Sequence, residues 1–287
     1  MCPLSMACMA NEQMKNASRE VWDAMAAGWD ARHAWFEAMA RPVTTTMLER
    51  AAVQAGDRVL DLASGTGVAG LAAAPLVGGE GRVILSDFAP SMVESARRQV
   101  ERLGFDNVEC RLLDAEQLDV PDDDVDAVLC RWGYMLMPGP GAAFKETRRV
   151  LRDGGRLACA VFSGPSDNAW AAVPMKVLVE RGAALPPQPG SPGILALADT
   201  DRLRSLMQAA DFENIDIEPV PLQFPFVDED EYWGFMLEAA GAIAPLIKAL
   251  DPAAQAEVRA EVVARLSEVR EPKGFELPAV CLVASAS

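Results

Sequence analysis

The alternation of short apolar runs with amphipathic stretches predicts an α/β fold built on a doubly wound, largely parallel sheet. The clearest unit spans residues 58–70, where the apolar run Val59–Leu62 gives way to Gly65 and Gly67 and then to helical spacing. A strand, a glycine-rich turn and a helix open a nucleotide-binding βαβ unit. A second apolar run ends at Asp87, at the distance beyond the turn where such a unit places a carboxylate against a ribose.

The pattern Gly65-x-Gly67-x-x-Gly70 leaves two classes of ligand open. It matches the nicotinamide fingerprint, so an NAD(P)-dependent oxidoreductase is one alternative. Asp61 favours another class, because a carboxylate at the end of the first strand would repel a pyrophosphate and attract a cation. S-adenosylmethionine (SAM) carries a sulfonium and an ammonium group and therefore suits this turn.

Residues 59–67, Val-Leu-Asp-Leu-Ala-Ser-Gly-Thr-Gly, resemble the first motif of class I SAM-dependent methyltransferases. The resemblance extends to residue 162 and includes Arg-Val-Leu-Arg-Asp-Gly-Gly-Arg-Leu at 149–157. The nearest types are the ubiquinone/menaquinone-type and natural-product small-molecule enzymes. The resemblance implies a Rossmann-like sheet of seven strands with the last one antiparallel. It also implies SAM as cofactor and methyl transfer to an O, N or C atom of a small apolar or aromatic metabolite. A SAM-binding module without catalysis is the remaining alternative.

The resemblance also implies where the cofactor binds. Asp87 would accept hydrogen bonds from the ribose hydroxyls, and Phe88 and Met92 would lie near the adenine. Asp114 and the next backbone N–H would hold the adenine edge, with Glu116 expected as a solvated neighbour. The complete predicted cofactor set is Asp61, Ala63, Ser64, Gly65, Thr66, Gly67, Asp87, Phe88, Met92, Asp114, Ala115, Glu116 and Arg131.

Candidates for catalysis come from two places in the chain. His33 is the only imidazole, and helical spacing puts it on one face with Trp29 and Phe36, so it is a candidate general base or substrate anchor. Arg131 and Tyr134 follow the fourth predicted strand and could supply a counter-charge and a hydroxyl donor. Each of these residues also fits a packing role. The tryptophans predicted to line the substrate pocket are Trp29, Trp132, Trp170 and Trp233.

The charge and the cysteine content of the chain indicate which classes of ligand and which cellular setting to expect. The formal charge of −16 opposes a phosphate backbone, so we expect a small-molecule substrate and no nucleic acid. The chain shows neither an apolar run of the roughly 20 residues that a membrane span needs nor a convincing signal peptide. Six scattered cysteines without a C-x-x-C motif indicate reduced thiols in the cytoplasm. Cys130 and Arg131 stand where divalent-metal methyltransferases place a carboxylate, so we predict no metal. The oligomeric state stays open between monomer and homodimer.

We expect a flexible tail at residues 1–16, followed by a single domain at 17–287. Helical spacing predicts helices at 17–40 and 43–53, and alternation with several prolines predicts an edge strand at 214–226. Residues 229–272 resemble a helical substrate lid, although they could instead only pack or dimerise. The predicted parts are cap helices at 17–55, a SAM-binding core at 56–165, an insertion at 166–198, core at 199–228, the lid at 229–272 and a final strand at 273–287.

Overall fold

Seven strands form one sheet in the computed structural model, which describes residues 3–270 and 274–287. The strands are β1 (Arg58–Leu62), β2 (Arg82–Asp87), β3 (Val108–Leu112), β4 (Val125–Arg131), β5 (Leu151–Phe162), β6 (Asp216–Phe226) and β7 (Phe275–Ala286). Their order is β3-β2-β1-β4-β5-β7-β6, and β7 runs antiparallel to both of its neighbours. The predicted doubly wound sheet with an antiparallel last strand is therefore confirmed.

Helices cover the sheet and close one edge of it. They are α1 (Pro3–Ala31), α2 (His33–Arg50), α3 (Val68–Val77), α4 (Pro90–Leu103), α5 (Pro140–Val150), α6 (Ala169–Glu180), α7 (Thr200–Gln208), α8 (Glu229–Glu238), α9 (Ile243–Lys248) and α10 (Pro252–Leu266). A short 3₁₀ turn follows β4 at Tyr134–Leu136. Across the described residues, no helix combines the length and the apolar composition that crossing a membrane requires.

The strand order positions the site. β1 lies inside the sheet between β2 and β4, and its Val59, Leu60 and Leu62 are fully buried. The chain passes from β1 to β2 on one side and later to β4 on the other side, so the direction of winding reverses between β1 and β4. Ligands of such sheets bind outside the carboxyl ends of the strands at this reversal.

β6 lies at the edge of the sheet, as predicted from its prolines. Pro219, Pro221 and Pro225 lack the N–H that a central strand would need on both sides. β6 pairs only with β7 among the described strands, so these prolines leave no second ladder incomplete.

The N-terminal region differs from the sequence prediction. α1 begins at Pro3, inside the segment that we expected to be a flexible tail, and side chains from Asn11 onward contact the core domain. The predicted helix over 17–40 is interrupted at Arg32, whose φ of −101° and ψ of 13° end one helix before the next begins. The predicted break between residues 40 and 43 is absent, because α2 runs through Pro42. Apolar spacing continues across the interruption, so the sequence did not reveal it.

Candidate active site

The turn between β1 and α3 is shaped for a close backbone approach. Gly65 and Gly67 have φ angles of 56° and 89°, in the left-handed region that glycine adopts most readily. A Cβ on Gly70 would lie 2.2 Å from Cδ2 of Leu85, so this glycine allows α3 to pack against β2. Gly65 lines a cavity that opens above the carboxyl ends of the strands.

Asp61 lies beneath this turn, behind the cavity wall. Its Oδ2 accepts a hydrogen bond from the backbone N–H of Gly70 at 2.7 Å. Its Oδ1 is buried and has no hydrogen-bond partner among the described residues. Burial raises the pKa of the Asp61 carboxyl to about 7. A cation above the turn would favour the ionised carboxylate, which agrees with the charge that the sequence predicts for the ligand.

Asp87 lines the cavity at the end of β2, where the sequence predicts it. Its Oδ2 accepts from the backbone N–H of Gly65 at 2.9 Å, and its Oδ1 accepts from Ala89 at 3.0 Å. Burial raises the pKa of Asp87 to about 6, against the opposing effect of these bonds. The carboxylate is thus held in place and keeps lone pairs for further donors.

Beside Asp87, the cavity wall contains a buried ion cluster. Lys15 on α1 lies 2.8 Å from Asp114 and 3.1 Å from Glu116. Burial opposes the lysine's charge, but bonds to the two carboxylates outweigh it and raise the pKa of Lys15. The Glu116 side chain is only 5 % exposed and also accepts from the Gly139 N–H at 2.9 Å. The expectation that Glu116 is solvated is therefore wrong, because α1 covers it.

Arg131 and Trp132 form the wall at the end of β4. Nε and Nη1 of the Arg131 guanidinium are buried without a hydrogen-bond partner in the described part of the chain. The guanidinium lies 4.5 Å from the centre of the Trp132 ring, and burial lowers the pKa of Arg131 to about 10. Trp132 has a φ of 65°, which is strained for a bulky residue and which such sites commonly retain for function.

Next to Trp132, a part of the cavity that we call a chamber is lined by aromatic rings. Trp170 stacks on Phe224 with ring centres 4.4 Å apart, and Phe162 stacks on Trp132 at 5.1 Å. These rings come from α6, β5, β6 and the residue after β4, so several distant segments build one apolar surface. The aromatic and thioether side chains of the chamber, from here on the aromatic chamber, are Trp29, Phe36, Trp132, Met135, Met137, Phe162, Trp170, Phe224 and Phe235.

His33 does not line the cavity. Its Nδ1 lies 2.9 Å from Oγ1 of Thr66, and both side chains are buried. Burial lowers the pKa of His33. The interruption at Arg32 explains the difference from the prediction, because His33 starts a new helix and does not continue the face of Trp29. The structure thus gives His33 a contact that fixes the glycine-rich turn.

Five other predicted residues also lie outside the cavity wall, namely Asp61, Thr66, Gly67, Tyr134 and Trp233. The Tyr134 hydroxyl is 2.6 Å from Oγ1 of Thr147, and its ring stacks on Phe144 in the core. Trp233 is buried in α8 and does not line the cavity. The remaining predicted residues that the structure brings together in the wall are Trp29, Ala63, Ser64, Gly65, Asp87, Phe88, Met92, Asp114, Ala115, Glu116, Arg131, Trp132 and Trp170.

Sequence reasoning missed Lys15, Phe224 and Phe235. Lys15 lies in the segment that was assigned to the tail, and no local pattern pairs it with a loop 99 residues away. Phe224 and Phe235 were read as part of an edge strand and of a helical lid. Alternation in the strand predicts burial of Phe224, and the apolar neighbours of Phe235 predict its burial, but neither pattern shows which surface the two residues share.

Known proteins resemble this chain in both sequence and fold. A family model described as a methyltransferase domain matches residues 54–184. A ubiquinone/menaquinone biosynthesis C-methyltransferase, UbiE of Cronobacter sakazakii, is 30% identical over 218 residues, which cover 72% of this chain and 87% of that protein. The chain belongs to the class I SAM-dependent methyltransferase family. SAM is therefore its cofactor and methyl transfer its reaction, and no support remains for the oxidoreductase alternative.

Two solved structures agree with the family on the level of the fold. The YcgJ protein of Bacillus subtilis superposes with a TM-score of 0.56 at 19% identity, over 85% of this chain and 96% of its own. The [4+2]-cyclase SpnF superposes with a TM-score of 0.55 at 21% identity, over 85% and 79% of the two chains. At these identities the likeness shows the fold alone.

The residues of the wall fit SAM along its length. Lys15, Asp87, Asp114 and Glu116 form what would be the adenosine end, where the carboxylates could accept from the ribose hydroxyls and the adenine amine. The methionine end, formed by Ala63, Ser64, Arg131 and Gly133, has buried polar atoms without partners in the described chain, as Arg131 shows. SAM supplies a methyl group activated by its sulfonium, and the aromatic chamber adjoins the methionine end.

Proposed function

We propose that this methyltransferase acts on a small, flat, aromatic metabolite and transfers the methyl group to an atom that is already nucleophilic. The aromatic chamber carries this proposal. Its rings bury a large apolar surface, and aromatic pairs favour stacked or edge-on contacts with another ring. Desolvation in such a chamber would weaken the binding of a small charged acceptor.

The positions of the ionisable groups in the described wall support an acceptor atom that is already nucleophilic. Lys15, Asp87, Asp114 and Glu116 belong to the adenosine end, and Arg131 borders the methionine end. The chamber itself presents aromatic and thioether side chains. A general base must reach the proton that it removes, and none of these groups lies in the chamber. An electron-rich ring carbon or a neutral aromatic amine, either of which attacks the methyl group before it loses a proton to water, is therefore a better candidate acceptor than a neutral hydroxyl oxygen. The relative described next favours the ring carbon.

The relative from Cronobacter sakazakii, by its name a C-methyltransferase of ubiquinone/menaquinone biosynthesis, supports the same direction. Catalysis would then depend mainly on alignment and on exclusion of water. We propose that α8, α9 and α10 act as the lid, because Phe235 of α8 and the turn residues Ala239–Gly241 line the cavity.

The cellular setting is part of the proposal. The described cysteines Cys110, Cys130, Cys159 and Cys281 are free thiols, which suits a reducing cytoplasm. An enzyme of natural-product or quinone-type metabolism, working there as a monomer or homodimer on a small molecule and not on nucleic acid, is consistent with the acidic charge.

A product assay tests the proposed substrate class. The enzyme is incubated with SAM carrying a CD₃ group and, separately, with 1,4-naphthohydroquinone, 1-naphthol, 1-naphthylamine, sarcosine and phosphoethanolamine. Mass spectrometry and NMR then locate the label. We expect a ring-carbon product from a hydroxylated naphthalene. Labelling of the two polar amines, with none on the aromatic compounds, would reject an aromatic acceptor.

A further inference from the structure

Arg131 is the one cavity-wall cation of the described chain that the protein leaves without any hydrogen bond or ion pair. Nε and Nη1 are buried, and the whole residue is 8 % exposed. Lys15, at the other end of the same wall, is paired with two carboxylates. The ring of Trp132 is the guanidinium's close neighbour, at 4.5 Å. A cation–π contact does not replace the acceptors that five N–H donors require.

A buried cation in this state is unfavourable for the free protein. Moving a charged group from water into the protein interior costs free energy. Unless an anion and hydrogen bonds offset that cost, a hydrophobic residue of similar size would give a more stable protein. Asp61 has the opposite charge when it is ionised and then favours the charged form of Arg131, yet no ion pair joins the two side chains. Each instead keeps buried atoms without partners: Oδ1 on Asp61, and Nε and Nη1 on Arg131. The chain thus holds a separated pair of opposite charges at the adjoining ends of β1 and β4.

A zwitterion matches two separated charges of opposite sign. From this we infer that the Arg131 guanidinium binds the carboxylate of SAM's amino-acid group, with the ammonium of the same group on the Asp61 side. The planar fork of arginine suits a carboxylate, to which it can donate two parallel hydrogen bonds. This assignment rests on SAM as the cofactor and not on the aromatic acceptor proposed above.

The other possible occupant is an anionic acceptor in the chamber. The position of Arg131 favours the cofactor, because it ends β4 directly beside β1, where the glycine-rich turn begins. The backbone that follows Arg131 also packs tightly against this turn, because a Cβ on Gly133 would lie 2.7 Å from Cβ of Ala63.

Three ligands separate these possibilities without any methyl acceptor. S-adenosylhomocysteine (SAH) has the ammonium and the carboxylate, its decarboxylated form has the amine alone, and 5′-methylthioadenosine has neither. Isothermal calorimetry measures each of them against wild type and Arg131→Met. We expect Arg131→Met to weaken SAH by roughly 10- to 100-fold, as for a lost charge-assisted hydrogen bond. The other two ligands should change by less than about threefold, because they lack the group that Arg131 holds.

Two controls guard against a merely structural role. Lys15→Met also removes a wall cation, but at the adenosine end, so it should affect SAH and methylthioadenosine equally. Arg131→Lys keeps the charge without the fork and should recover part of the SAH affinity. The melting temperature of ligand-free Arg131→Met should be at or above that of wild type, since an uncompensated buried charge has been removed.

Several results would overturn the assignment. Unchanged SAH affinity in Arg131→Met would overturn it. If methyl transfer were lost at the same time, Arg131 would bind the methyl acceptor and not the cofactor. Equal losses for all three ligands, or a lower melting temperature without ligand, would make Arg131 a structural residue. None of these outcomes bears on the acceptor class, which the labelled-product assay tests separately.

Discussion

The adenosine end and the methionine end of the cavity differ in how far the protein satisfies its own charges. At the adenosine end, Lys15 pairs with buried Glu116, and Asp87 accepts from two backbone N–H groups. At the methionine end, Asp61 and Arg131 keep buried atoms without partners in the described chain. The charged groups of the adenosine end have partners in the free protein, whereas those of the methionine end would gain partners only from a ligand.

Because of this difference, we expect the two ends to contribute differently to stability and to ligand affinity. Groups that are already hydrogen-bonded are pre-organised, so they orient a ligand with little further ordering. Groups that are buried and unpaired raise the free energy of the free protein, and an interaction with the ligand removes that penalty. We therefore expect variants of the adenosine end to reduce stability as well as affinity. Variants of the methionine end should reduce affinity alone.

Among variants of the adenosine end, Asp87→Ala should reduce SAH affinity the most. It removes the acceptor for the ribose hydroxyls and leaves the N–H groups of Gly65 and Ala89 without their partner. We expect SAH affinity to fall by about 1.5 to 3 kcal/mol, together with a lower melting temperature. Calorimetry on folded protein and thermal unfolding measure the two quantities. Unchanged affinity would remove Asp87 from the site.

Lys15→Met should show the stability effect most clearly. Breaking a buried ion pair costs about 3 to 5 kcal/mol, and the partial exposure of Asp114 lowers our expectation to about 2 kcal/mol. Urea unfolding of the ligand-free protein measures this loss. Lys176→Met is the matched control, because Lys176 is exposed and 3.9 Å from Glu180. Equal stability of the two variants would mean that α1 is not anchored through Lys15.

His33→Asn should have the smallest effect. The structure places His33 behind the turn, bonded to Thr66, so its loss removes one hydrogen bond and no group that faces the acceptor. We expect stability to fall by about 0.5 to 1.5 kcal/mol and kcat to stay within a few-fold of wild type. A drop in kcat of about 100-fold or more, with loss of the acidic limb of the pH profile, would restore His33 as a base.

The sequence predicted the parts of this site that local patterns encode. Gly65, Asp87 and Asp114 lie at or just after the ends of short strands that the apolar residues mark, so the strand ends could be located from the sequence. His33 could not be placed, because its position depends on a helix interruption at Arg32 that leaves the apolar period intact. The role of Lys15 could not be predicted either, because its partner Asp114 lies 99 residues away in the sequence and no local pattern links the two.

The state of Asp61 also predicts how stability varies with pH. Its pKa is raised to about 7 in the folded protein, from an ordinary value of 3.8. Between these values the folded state holds a proton that the unfolded state has released, so the free energy of unfolding falls as pH rises from about 4 to 7. Urea unfolding across this range, on wild type and Asp61→Asn, should show a weaker dependence in the variant. Identical curves would mean that Asp61 titrates normally.

The most direct test is the proton balance of cofactor binding. If the ammonium of the amino-acid group lies on the Asp61 side, binding near pH 6 must ionise that carboxyl. Calorimetry in two buffers of different ionisation enthalpy should then show that SAH releases more protons than methylthioadenosine, by up to about one per site. The excess should vanish in Asp61→Asn and fade above about pH 8. Equal proton release by the two ligands in the wild-type protein would contradict the account.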